Sequence, residues 1–271
     1  MSFKILFFGD IIGKMGRQAI VQALPTLRDR YAPDMIIANV ENLAHGMGFT
    51  EKGLQELSTA GVNVFTGGNH SWGNAEGIKL FKDPKWQKRI LRPANTKRGE
   101  PGAGSFIWES ANGDRIMIIN LMGRLGMSGV ESVENPFHVL DTLYETEIDR
   151  PKIIFIDMHA EMTAEKEALG HFADGRASAV IGTHTHIQTS DARILTGGTA
   201  YCTDAGRCGE RDSVLGFEKQ SVIERFLGDR SAFYDLNRAG IAEVDGVCIE
   251  VDTETGRAIK IESFREILEV F

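Results

Sequence analysis

Short apolar runs, each followed at once by metal-type donors, constrain this chain more than any other feature. The segments are FFGD (Asp10), NVEN (Glu41, Asn42), TGGNH (Asn69, His70), IDMHAE (His159) and GTHTH (His184, His186). Each run reads as a buried strand, so each polar residue falls at a strand's C-terminal end. In open α/β sheets that edge is where ligands bind. Oxygen and nitrogen donors gathered on one edge are what a pair of divalent metals needs.

The runs Phe3–Phe8, Met35–Ala38 and Val62–Thr66 alternate with helical stretches at Gly16–Tyr31 and Glu51–Ala60. Thr50 is a candidate N-cap for the second helix and Gly61 its stop. Pro25 interrupts the first helix and is expected to kink it or to start a second turn. This β-α-β-α-β order predicts parallel strands with right-handed crossovers. Further strands are expected at Ser105–Glu109, Arg115–Leu121, Ile153–Met158 and Ala179–Thr183, and helices at Pro136–Glu147 and Ala164–Phe172. Asn112-Gly113-Asp114 has hairpin chemistry. Residues 95–105 and 122–136 read as loops. The second is long enough for a functional lid and carries Arg124, which either pairs with a phosphate or stays in a surface loop that touches no ligand. Toward the end, Gly197-Gly198 and Thr253–Gly256 each sit between short strand signals and predict hairpins. The expected fold is α/β, a sandwich of two mixed β-sheets flanked by helices. Neither a repeat nor a linker divides it, so residues 1–271 read as one domain.

Composition narrows the partners. The net charge of −8 argues against a nucleic-acid groove held by bulk electrostatics. It leaves room for a small anionic substrate, because bound cations reverse the local field. Three cysteines, Cys202, Cys208 and Cys248, have no metal-type spacing and fit reduced thiols in a cytoplasmic protein. The N-terminal apolar run is too short for a signal sequence and reads as a first strand. No run approaches the roughly 20 apolar residues of a membrane span. A homo-oligomer is compatible with the sequence.

Each candidate has a structural reading beside the functional one. Asp10 in a Gly-Asp turn could simply accept backbone N–H groups. Glu41 ends so apolar a strand that it must be capped, paired or metal-bound. Gly67-Gly68-Asn69-His70 is more specific, since the glycines allow close approach to a ligand while Asn and His offer a carbonyl oxygen and an acid, base or ligand. His184 and His186, two apart on an extended strand, would point the same way and could clasp adjacent metals. Lys14 and Arg17 follow Asp10 at a helix start, where a solvated surface competes with anion binding. His45, His138 and His171 read as surface or core residues.

Taken together, FFGDIIGKMGR, IIANVENLAHGMGFT, GGNHSW, LRPANT, IDMHAEMTAEK, IGTHTHIQTSDARIL and GGTAYCTDAGRCG resemble the YmdB-like branch of the calcineurin-like metallophosphoesterase superfamily. The resemblance covers nearly the whole chain. Two features depart from the wider superfamily but match this branch: Ile12 stands where an Asp-x-His motif would have its His, and Glu41 replaces a bridging Asp. Ser71 follows His70 where the wider family often has an acid. The resemblance implies a first metal held by Asp10, Glu41 and His186, with Asn42 as a further candidate. It implies a second held by Glu41, Asn69, His159 and His184, with Glu41 bridging. His70 would face the substrate as general acid. The implied cofactors are two transition-metal ions, with iron or manganese favoured and zinc compatible. The implied substrate is a small phosphodiester such as a 2′,3′-cyclic nucleotide. A metal-dependent signalling protein with weak hydrolase activity and a nucleotide phosphomonoesterase keep the same ligands and stand as alternatives.

Overall fold

The first apolar run becomes β1 (Ser2–Ile11), which passes through Ile12 into α1 (Gly13–Tyr31). That helix starts earlier than its apolar period suggests, and it runs through Pro25 as one element rather than restarting there. Then follow β2 (Met35–Asn39), α2 (Glu51–Ala60), β3 (Val64–Thr66) and α3 (Ala75–Leu80). Thr50 caps α2 as expected, its hydroxyl accepting the Gly53 N–H at 3.3 Å, and Gly61 ends the helix at φ +111°. The middle of the chain forms β4 (Ser105–Glu109), β5 (Arg115–Met122), α4 (Pro136–Thr146), β6 (Ile153–His159), α5 (Thr163–Phe172) and β7 (Ala179–Thr183). The remainder forms β8 (Arg193–Ile194), β9 (Ala200–Cys202), β10 (Arg207–Glu210), β11 (Ser213–Val214), β12 (Phe217–Glu218), α6 (Lys219–Phe226), β13 (Gly240–Asp252) and β14 (Ala258–Val270).

This computed structural model describes residues 1–96, 101–110, 112–128, 133–229, 231 and 234–271. Parts of the two expected loops, residues 97–100 and 129–132, lie outside the described residues. No helix among the described residues is long and apolar enough to cross a membrane.

Two mixed sheets carry the fold. One has the order β14-β13-β10-β1-β2-β3, the other β4-β5-β6-β7-β9-β8. The β1-β2-β3 and β5-β6-β7 pairings are parallel, as the alternation of strands and helices predicts. The strands flanking all three expected hairpin turns pair antiparallel, β4 with β5, β8 with β9 and β13 with β14. Sequence reading did not anticipate β10, which lies parallel to the end of β1, nor the β11-β12 hairpin and α6.

Side chains alternate between two burial environments because successive Cβ atoms point to opposite faces. Phe3, Ile5 and Phe7 of β1 meet Ile116, Ile118 and Phe155 of the second sheet in the core between the sheets. The Phe7 and Phe155 rings pack 5.0 Å apart across that gap. Leu6 and Phe8 face the other way, onto α1 and its Ala19, Ile20 and Leu27. Ile154, Ile156 and Met158 of β6 join a third cluster with Leu140 of α4 and Leu169 of α5. Strands covered on both faces explain the near-continuous apolar runs.

The inter-sheet face turns polar one step beyond that core. The period of two that places Met35 and Ile37 inside continues to Asn39, and the same step leads from Val64 to Thr66, from Ile118 to Asn120, from Phe155 to Asp157 and from Ile181 to Thr183. A register shift between Phe8 and Asp10 re-phases β1 at the same level, which is how a bulge re-aims a side chain.

Phe155 is fully buried where the two sheets meet. Phe155→Ala is expected to cost about 3–5 kcal/mol, read by urea denaturation. A loss below about 1 kcal/mol would show that the inter-sheet core is not close-packed there.

Candidate metal centre

The C-terminal ends of β1, β2, β3, β6 and β7 bring Asp10, Glu41, Asn42, Asn69, His70, His159, His184 and His186 together. The ligand atoms of Glu41, His159 and His184 all lie within 4.8 Å of one another. Glu41 Oε2 is 3.1 Å from His159 Nε2, and His159 Nε2 is 3.0 Å from Asn69 Oδ1 and 3.1 Å from His184 Nδ1. Beside them, His186 Nε2 is 3.7 Å from Asp10 Oδ1. Ligands on bonds of 2.0–2.2 Å stand roughly 3–3.5 Å apart around a metal.

Hydrogen bonds behind the rings fix which nitrogen faces the centre. The Thr183 hydroxyl donates to Asp157 Oδ1 at 2.7 Å, so at 2.9 Å it accepts from His159 Nδ1–H. That leaves His159 Nε2 directed at three other acceptors, an arrangement that needs a positive charge among them. His186 Nδ1 donates to the Leu215 carbonyl at 2.9 Å, freeing its Nε2 toward Asp10. His184 Nε2 pairs with Glu161 at 3.2 Å, leaving Nδ1 for the centre. Such partners orient metal-ligating imidazoles and set their tautomers.

The backbone accommodates this crowding. A Cβ on Gly68 would stand 2.2 Å from Glu41 Oε2 and 2.3 Å from His159 Nε2, so only glycine fits there. His184 and His186 adopt φ of +95° and +62°. This corrects the expectation that they share one face of an extended strand. They lie past the end of β7, and left-handed backbone sends His184 toward His159 and His186 toward Asp10. Non-glycine residues hold such conformations only when the surroundings over-determine them, often at functional sites.

The electrostatics demand a cation. Burial raises the Asp10 carboxyl above its usual range, and Asp10 Oδ1 is buried with no hydrogen-bond partner. Burial would also raise Glu41, but His159 and then His70 outweigh it and hold Glu41 well below the usual range. Burial opposes a charged His159, yet Glu41 and then Asp10 push it up to about 9. Burial and the neighbouring His159 charge bring His184 down to about 3, which keeps it neutral. Without metal, a proton on His159 supplies the positive charge that these acids require. The orphaned Asp10 oxygen, the facing acceptors and the mixed carboxylate, imidazole and amide donors all fit divalent metal ions.

Asn42 and His70 sit at the rim. The Asn42 amide nitrogen donates to Glu41 at 3.0 Å and stands 3.2 Å from His186 Nε2, with its oxygen toward His70 Nδ1 at 2.9 Å. A 180° turn of this amide would present the oxygen to the Asp10 side instead. The His70 N–H donates to Glu41 at 2.9 Å, and its Nδ1 lies 3.2 Å from the same carboxylate. Glu41 and Asn42 thus orient His70, and Ser71 instead accepts the Gly68 N–H at 2.9 Å.

The YmdB-like protein family model matches residues 6–264. The chain belongs to the YmdB-like family. It is 42% identical to the 2′,3′-cyclic-nucleotide 2′-phosphodiesterase of Bacillus subtilis strain 168, over 96% of this chain and 95% of that protein. A crystal structure of a novel phosphatase from Mycoplasma pneumoniae superposes with a TM-score of 0.90 at 35% identity, covering 99% of this chain and 94% of that one. A hypothetical protein from Thermus thermophilus gives 0.88 at 36% identity, covering 98% and 99%.

The YmdB-like centre also rests on residues that sequence reading passed over. Buried Lys166 of α5 donates to Asp204 at 2.8 Å, and Asp204 accepts both the N–H and the hydroxyl of Thr185 between the two histidines. Removing one partner of such a buried pair costs about 3–5 kcal/mol. An acid just past the apolar run in AYCTD and a Lys inside an amphipathic helix were the available signals. Arg124 is exposed, with its backbone N–H donating to Glu165 at 3.0 Å. From the same loop, Ser128 lines the cleft beside the centre.

The raised His159 sets a pH prediction for metal-free protein. A folded-state value of about 9 against an ordinary 6.5 gives stability that is fully present below about pH 6.5 and lost as pH rises through 9. The expected loss is up to about 3 kcal/mol, measured by urea denaturation of chelated protein at pH 6 and pH 9.5. His159→Gln should flatten the difference; an unchanged pH dependence in that variant would refute the assignment.

Proposed function

We propose that this chain is a dinuclear-metal phosphodiesterase of small substrates, with 2′,3′-cyclic nucleotides as the substrate class, acting as a single domain in the cytoplasm. The observation that carries the reading is the convergence of Glu41, Asn69, His159 and His184 donor atoms beside an unpartnered Asp10 oxygen, a set that divalent ions would satisfy. The activity named for the Bacillus subtilis relative supports the substrate class. Asp10, Glu41 and His186 would hold one ion, with Asn42 contributing after its amide turns. Glu41, Asn69, His159 and His184 would hold the other. Iron and manganese suit this donor set, and zinc is compatible with it.

Ions held there supply charge that neutralises the phosphoryl oxygens and makes water nucleophilic near neutral pH. The protein's own groups do the rest. Thr183, Leu215 and Glu161 keep the three ligating imidazoles in one orientation. Buried, water-poor walls behind Asp10 and Glu41 strengthen every charge interaction in the site. Water, having given up one proton to solvent, adds to phosphorus as hydroxide, the bond to one ribose oxygen breaks, and that oxygen must gain a proton. His70 is the donor: it emerges next to Asn69 at the cleft, and Glu41 and Asn42 hold its Nδ1 side.

Glu41→Gln should keep the fold by circular dichroism, lose at least one metal per chain by elemental analysis, and lose most turnover on 2′,3′-cyclic AMP. Two retained metals with full turnover would remove Glu41 from the bridging role. A preference for a monoester such as 3′-AMP in wild type would favour the phosphomonoesterase alternative.

His70→Ala tests the acid by leaving group. Loss of a general acid costs about 10²–10⁴-fold. The loss should be of that size on 2′,3′-cyclic AMP and far smaller on bis(p-nitrophenyl) phosphate, whose phenolate leaves without a proton. An equal loss on both at full metal occupancy would mean that His70 positions the phosphate.

A further inference from the structure

We infer that β12 and α6 carry a stacking subsite for the nucleobase, with Phe226 as its principal residue. The inference rests on the phosphodiesterase reading and adds where the substrate's base goes. A cleft of about 440 Å³ opens directly on the centre and is shared by Glu41, Asn42, His70, His184 and His186. That is within the range of small-molecule sites. Its opposite wall is apolar: Val214, Leu215, Phe217, Val222, Phe226 and Tyr234.

The wall is tied to the catalytic edge. Leu215, at φ +55°, uses its carbonyl to hold His186 Nδ1, so the turn that orients a ligand also begins the wall. Phe217 packs against Tyr234 with ring centroids 5.3 Å apart, and the Arg225 guanidinium stands over Tyr234 at 4.8 Å. These contacts tie Phe217 and Tyr234 of the wall to each other and to α6. Phe226 ends α6 with 85% of its surface exposed. It stands with Leu215 and Tyr234, which line the same cleft and are also exposed, and apolar surface grouped in this way beside a cleft marks a binding site.

A ribose cyclic phosphate anchored at the metal edge carries its base on the sugar carbon next to the reacting diester. The base must therefore lie within one sugar's length of the centre, where the cleft offers aromatic and aliphatic surface. Every base has a π-face, so such a wall binds purines and pyrimidines alike and favours the larger ring by area. The polar side of the cleft, with Ser128, Glu161 and Thr185, is left to the sugar and phosphate.

The experiment compares 2′,3′-cyclic AMP with methyl ribofuranoside 2′,3′-cyclic phosphate, the same diester without a base, on the metal-loaded enzyme. Phe226→Ala should lower kcat/KM on the nucleotide roughly 5- to 150-fold, the range of one lost base–aromatic stack, chiefly through KM. The base-free diester should change less than about 2-fold, and Phe226→Trp should restore the nucleotide. Equal losses on both substrates, or a wild type that does not distinguish them, would overturn the subsite while leaving the phosphodiesterase reading intact. A wild type that hydrolyses neither would sink that reading, and the subsite with it.

Discussion

The carboxylate of Asp157 holds the two sheets together directly beneath the centre. It is fully buried and accepts from Asn39 and Thr66 of one sheet and from Thr183 of the other. Burial raises it to about 6 against those hydrogen bonds and the His159 charge. An unpartnered carboxylate in such a place would cost several kcal/mol. Satisfied from both sheets, it locks their separation, and through Thr183 it turns His159 Nε2 toward Glu41, Asn69 and His184. Placement of the ligands and cohesion of the sandwich are therefore one arrangement.

That arrangement leaves an excess of acceptors at the top of the inter-sheet core. Asp10 and Glu41 are buried within reach of His159, and no Lys or Arg among the described residues forms an ion pair with either. The cations that are buried nearby are already engaged: Lys166 with Asp204 at 2.8 Å and Arg207 with Glu243 at 2.7 Å. A folded chain with these acids is stable only if protons or metals complete it. The left-handed backbone at His184 and His186 is held by its surroundings, since Asp204, paired with Lys166, accepts the N–H and hydroxyl of Thr185 between them.

How much of this the sequence exposes depends on how local the physics is. The donor-tipped strands were legible because burial on both faces makes a parallel strand apolar until it reaches the edge, so a polar residue there stands out. Thr50 and Gly61 were legible because a cap and a left-handed stop act within a few residues. Asp157 stands in the same IDMHAE segment as His159. The period of two places 157 and 159 on one face, which was the missed signal. Strand β10 lies beside β1 nearly two hundred residues away in sequence. Its short run gives no local hint of that long-range pairing. The geometry of His184 and His186 was misread for a related reason: positive φ at a non-glycine residue is imposed by tertiary contacts and leaves no compositional trace.

The apolar wall illustrates the opposite limit. Its residues look like an ordinary short hairpin and helix, and nothing in their spacing distinguishes a wall facing a ligand from a face packed on a core. What distinguishes them is position, since Leu215 meets His186 only after the chain has crossed from β10 to the top of the sandwich. The chemistry of the centre is held by strand ends and buried pairs that tolerate little displacement. The wall instead rests on ring contacts and one carbonyl, over a half-open cleft. Substitutions there can change what the site accepts without disturbing the charges that make it react, so substrate choice and catalysis can vary separately in this fold.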